Sequence, residues 1–113
     1  MPEFSFAAPI LPGKTAAWLA AIDEIKGSRN AAYQESRRKL GIKREHVSLQ
    51  STPMGDMVVV HLDAPDQGVF GAMMQSTSEF DTWFVHHVLA DVHGFDLNGP
   101  PPPPVEVVLD FKG

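Results

Sequence analysis

The chain of 113 residues contains no cysteine. Disulfide scaffolds, thiolate zinc sites, iron–sulfur clusters and cysteine nucleophiles are therefore excluded together. No apolar run reaches the ~18 residues of a membrane span, and Met1-Pro2-Glu3-Phe4 lacks the basic start of a signal peptide. Positive charge is also short. The net charge of −5 argues against nucleic acid as a partner, since binding it is mostly phosphate neutralisation. What remains is a chain with 43% hydrophobic and 20% charged residues, the composition of an ordinary globular protein. One domain covering residues 1–113 is expected, soluble and cytoplasmic, with no membrane partner.

The few cations are concentrated. Residues 26–44 carry Lys26, Arg29, Arg37, Arg38, Lys39, Lys43 and Arg44 against Glu35 alone. A solvated helix face explains such a run, because cations suit a helix C-terminus. An anion or acidic-partner site is the functional alternative. Tyr33 is the one aromatic interleaved there, too little for a single-strand stacking platform.

Periodicity predicts the elements. Residues 3–11 read as a short strand ended near Pro9. Pro12-Gly13 turns into a helix from Lys14 or Thr15, with Trp18, Ala21, Ile22 and Ile25 on one face. Ala32, Tyr33, Ser36 and Leu40 extend that stripe to a stop at Gly41, with a break expected near Gly27. Glu45–Thr52 and Met57–Asp63 form a hairpin around Pro53-Met54-Gly55-Asp56. A short helical stretch follows from Ala64-Pro65-Asp66 to Met74. Ser78 and Asp81 open a further helix to His93, with Phe80, Phe84, Val85, Val88, Leu89 and Val92 buried. Thr82, His86 and His93 fall on its solvent side. Pro100 to Pro104 read as extended polyproline II, a stiff connector of about 15 Å. Val105–Phe111 then alternates as a last strand.

This β-α-β-β-α-β order predicts an α+β, ferredoxin-like fold, a four-stranded antiparallel sheet with helices on one face. If Met54-Gly55 is the hairpin tip, Val47 opposes Leu62 and Leu49 opposes Val60 under the helices. The bare face then sets His46 opposite Asp63, Ser48 opposite His61, Gln50 opposite Val59 and Thr52 opposite Met57. The last strand adds Glu106, Val108 and Asp110. A one-residue slip would invert one strand of this assignment.

A bare face that mixes Val59, Met57 and Val108 with histidines, amides, hydroxyls and carboxylates suits a partly enclosed cavity. Here the chain resembles the dimeric α+β barrel superfamily, in which two ferredoxin-like sheets enclose a barrel. Leu-Pro-Gly-Lys at 11–14, Leu-Gly-Ile-Lys-Arg-Glu at 40–45 and Thr-Pro-Met-Gly-Asp at 52–56 look like a small, uncharacterised bacterial family within it. The resemblance implies a homodimer. The superfamily includes cofactor-free monooxygenases, haem-degrading enzymes, lactone isomerases and stress-responsive proteins, so the fold transfers no reaction.

The preferred catalytic group is His46, His61 and Asp63. An imidazole in a low-dielectric site accepts a proton near neutral pH, and a carboxylate partner fixes its tautomer. That suits acid–base work on an enolisable or phenolic small molecule without a cofactor. Ser48 and Gln50 are further ligand contacts, and Met57 and Trp83 supply apolar wall. His87 and Asp91, four apart, form a second imidazole–carboxylate pair. A hydrogen-bonded polar lining at a dimer interface accounts for the first group equally, and an ordinary surface pair for the second. No histidine spacing matches a metal site, and Trp83 beside a histidine gives only a loose analogy with haem binders. Gly13-Lys14-Thr15 lacks the upstream glycine of a phosphate loop, where Ala8 stands. The rival class is a non-catalytic interaction module that dimerises through its bare sheet.

Overall fold

The computed structural model describes residues 3–99 and 105–113. The polyproline reading of residues 100–104 therefore lies outside the described residues. The chain runs through β1 (Glu3–Pro9), α1 (Thr15–Lys26), α2 (Asn30–Lys39), β2 (Arg44–Thr52), β3 (Gly55–Asp63), α3 (Val69–Gln75) and α4 (Glu79–Phe84). A π-helical turn over Val85–Ala90 continues α4. No helix among the described residues is long and apolar enough to cross a membrane.

Helix α1 starts after Gly13, whose φ of 79° closes the preceding turn. Its Thr15 hydroxyl donates to Asp56 Oδ2 at 2.6 Å, tying the helix start to β3. Trp18, Ala21 and Ile25 are buried on one face, the predicted stripe. The expected break occurs at Gly27, and α2 stops before Gly41 at φ 77°. A Cβ at Gly41 would stand 2.8 Å from Pro65 Cγ, so position 41 requires glycine twice over.

The fold class is α+β, but the sheet is three-stranded, in the order β1-β3-β2, with both pairings antiparallel. The expected fourth strand does not form, and the ferredoxin-like sheet is corrected accordingly. Val105–Phe111 is unpaired among the described residues, with Leu109 83% and Phe111 86% exposed. The reason lies at its first residue. Gln67 holds Val105, accepting from its amide at 2.8 Å and donating to its carbonyl at 3.4 Å. Gln67 follows β3, at the end of the sheet where β1 begins. A fourth strand antiparallel to β1 would have to start at the opposite end, beside Pro9.

The hairpin register also differs from expectation by two residues. Thr52 pairs with Gly55, so His46 opposes His61, Val47 opposes Val60, Leu49 opposes Val58 and Gln50 opposes Met57. A slip of two preserves the faces, because side chains alternate with period two. Phe4, Ala8, Val58, Val60 and Leu62 form the covered face and join Trp18, Val69, Val88 and Val92 in the core. Val47 and Leu49 remain more than a third exposed, since β2 is an edge strand that the helices only partly cover.

Phe80, Val85, Val88, Leu89 and Val92 are buried as the helical period predicts. His86 is exposed, but His93 is buried, contrary to its expected solvent position. The π turn is the cause. Asp91 and His93 donate their amides five residues back, to His86 and Val88, and the turn as a whole inserts about one residue into the helical period. His93 is thereby swung inward, where its Nδ1–H donates to the Pro9 carbonyl at 2.8 Å.

Candidate active site on the open sheet face

Strand alternation places Glu3, Ser5 and Ala7 of β1 beside Asp63, His61 and Val59 of β3, with Arg44, His46 and Ser48 of β2 beyond them. Among the described residues no helix covers this side, and Glu3, Ser5 and Ala7 are exposed. His61 sits mid-sheet between Ser5 on one neighbour and His46 on the other. Its Nδ1 lies 2.9 Å from Ser5 Oγ and its Nε2 lies 2.9 Å from Glu3 Oε1. The hydrogen bond with His61 holds the Glu3 carboxyl below its ordinary value against the opposing effect of desolvation, with a further small contribution from the Arg44 charge. Glu3 is therefore ionised at neutral pH and can only accept. The neutral imidazole must then carry its proton on Nε2, leaving the Nδ1 lone pair to receive the Ser5 hydroxyl. A hydroxyl, a base and an orienting carboxylate form one chain.

The predicted catalytic set is thus partly assembled. His61 and His46 face each other, but Asp63 is not the partner of His61, because both ring nitrogens are taken by β1. Asp63 opposes Arg44 instead. Ser48 and Gln50 lie on the same face, opposite Val59 and Met57, which sets Met57 beside Gln50 rather than opposite Thr52. Trp83 is not on this face. It lies in the helical layer, under the Arg29 guanidinium at 4.1 Å and against Phe80 and His87. His87 and Asp91 are exposed there. His87 lies within the π turn and Asp91 caps its end, so the α-helical spacing assumed for the pair does not apply there.

Glu3 and Ser5 were missed by sequence reasoning. The signal was present in the alternation of Phe4, Phe6 and Ala8 against Glu3, Ser5 and Ala7.

The covered side holds a different polar group. Arg37 of α2 is only 5% exposed, not part of a solvated cationic face. Its Nε donates to Glu45 Oε1 at 2.8 Å and its Nη1 to Ser36 Oγ at 3.1 Å. The guanidinium lies 4.9 Å from both the Tyr33 and Phe84 ring centroids. Tyr33 donates to the same Glu45 oxygen at 2.8 Å. Burial, then the Glu45 charge and hydrogen bond, push the Tyr33 phenol up to about 12. Ser36 donates in turn to Asp81. Burial raises the Asp81 carboxyl, but hydrogen bonds from Ser36, Ser76 and Ser78 with the Arg37 charge bring it below its ordinary value.

Gly13-Lys14-Thr15 serves as a turn and helix start, with the threonine hydroxyl committed to Asp56. Among the described residues no group of histidines and carboxylates is placed to hold a metal ion. Comparison with protein-family models, curated proteins and solved structures gives no match.

Proposed function

We propose that the chain binds a small organic molecule against its open sheet face and that His61 moves a proton to and from it. The observation that supports this is the Glu3–His61–Ser5 chain, which holds the imidazole in one tautomer with a basic nitrogen facing a hydroxyl. An enolisable or phenolic ligand that displaces Ser5 would give its proton to Nδ1. The resulting imidazolium is stabilised through Nε2–H by Glu3. Proton transfer is favoured over acyl transfer by where Ser5 sits. Strand amides lie in the plane of the sheet and cannot converge on an oxyanion above it.

His46, Ser48, Gln50 and Met57 would contact the ligand, and no cofactor enters the step. An uncovered sheet leaves the imidazole in water, so the reading includes a second copy of the chain packed face to face. Native mass spectrometry and ligand-observed NMR with a panel of enolisable and phenolic compounds test both parts. Wild-type protein should be a dimer that binds from the panel, and His61→Ala should keep the dimer but bind about tenfold or more weakly. Equal binding by His61→Ala overturns the role of His61. A monomer overturns the second copy.

A further inference from the structure

The other side of the sheet carries a separate site. An apolar cavity of about 100 Å³ lies between sheet and helices, walled by Ala8, Trp18, Val58, Met73 and Val88 among others. On the surface beside it runs a groove of about 330 Å³ that includes Arg38, Lys43 and Arg44. Cavity and groove share one wall, formed by Tyr33, Arg37, Ile42 and Glu45. We propose that the two together bind a small amphipathic carboxylic acid. Its apolar body, a short branched chain, enters the cavity, and its carboxylate lies among Arg38, Lys43 and Arg44.

Charge sets the head group. The groove's single carboxylate, Glu45, is already held by Arg37 and Tyr33. Arg38 has only an exposed partner in Glu35, and such pairs are weak. Lys43 and Arg44 have no ion-pair partner among the described residues. The groove therefore presents cations to water, and arginine suits a planar carboxylate. Size sets the body. An apolar cavity of about 150 Å³ holds benzene, so this smaller one takes a few branched carbons rather than a ring. The shared wall sets the route. Tyr33, Arg37 and Glu45 are locked by hydrogen bonds to one another, whereas the apolar Ile42 side chain is not, so the proposed route runs beside Ile42.

Calorimetry and tryptophan emission with 4-methylpentanoate, an isobutyl group on a short carboxylate chain, test the proposal. Trp18 lines the cavity and should report occupancy. The expected result is saturable heat with a change in emission, while the corresponding alcohol binds about tenfold more weakly. Lys43→Glu should weaken 4-methylpentanoate by a similar factor, and Arg38→Glu gives the same reading if that variant does not fold. Ala8→Val narrows the cavity and should weaken 4-methylpentanoate while leaving any acetate binding unchanged. Equal binding of acid and alcohol overturns the proposal, because the cations then take no part. Equal binding of acetate or inorganic phosphate also overturns it, as the groove is then a plain anion site. Absence of heat and emission change at millimolar ligand overturns it outright.

Discussion

The Arg37 cluster and the Glu3–His61–Ser5 chain are assembled from similar parts on opposite sides of one sheet. Each joins a hydroxyl, a carboxylate and a basic group by hydrogen bonds near 2.9 Å. Glu45 and His46 are even consecutive in β2, turned to opposite faces by strand alternation. Burial separates the two. Arg37 lies under three aromatic rings, where an ion pair left without one partner is costly. His61 is more than a third exposed, so its bonds can exchange with water or a ligand at little cost. Similar groups thus make a buried structural tie in one setting and an exposed, exchangeable one in the other.

The largest expected effect tests the buried side. Arg37→Ala should cost roughly 3–5 kcal/mol in urea denaturation, because Glu45 is left buried without its cation. A loss below about 1 kcal/mol would place Arg37 among ordinary surface cations. Ser36→Ala should cost about 1–3 kcal/mol, since Asp81 loses a donor in a site closed to water. Tyr33 can be followed directly, being the chain's one tyrosine. Ultraviolet titration should show phenolate only at about pH 12, and a midpoint near the usual value of about 10 would dissolve the Tyr33–Glu45 contact.

Acid should weaken the fold in two stages. Burial holds His93 below the ordinary imidazole value, against the opposing effect of its bond to Pro9. The neutral form is favoured when folded, so the unfolded chain takes up the proton first. Stability is complete above about pH 6.5 and declines as pH falls from there towards the lower folded value. Asp81, also depressed, adds a loss as pH falls through the carboxylate range. Denaturation midpoints measured across that range should fall, and His93→Gln should flatten the first stage. The smallest effect belongs to the open face. His61→Ala should change stability by no more than about 0.5 kcal/mol, and a larger loss would make the Glu3–His61–Ser5 chain structural.

Much of this arrangement was legible where a single local rule governs. The buried stripe of Phe80, Val85, Val88 and Val92 follows from helical spacing. The bare face containing His46 and His61 survived an error of two in the register, because a shift of two leaves every side chain on its own side. Readings failed where a distant contact decided. Val105–Phe111 has the alternation of a strand, but pairing depends on which end of the sheet the chain reaches, and Gln67 fixes it at the wrong end for β1. His93 obeyed the helical period until the π turn shifted it. Arg37 looks like any cation in a basic run, and its burial depends on Glu45 arriving from β2.

Arg44 stands where the two sides of the sheet meet. It borders the cationic groove, and its charge also helps to keep Glu3 ionised across the strand ends. A substitution such as Arg44→Ala would therefore be felt in two neighbourhoods at once, in the groove and beside Glu3 and Asp63 on the open face.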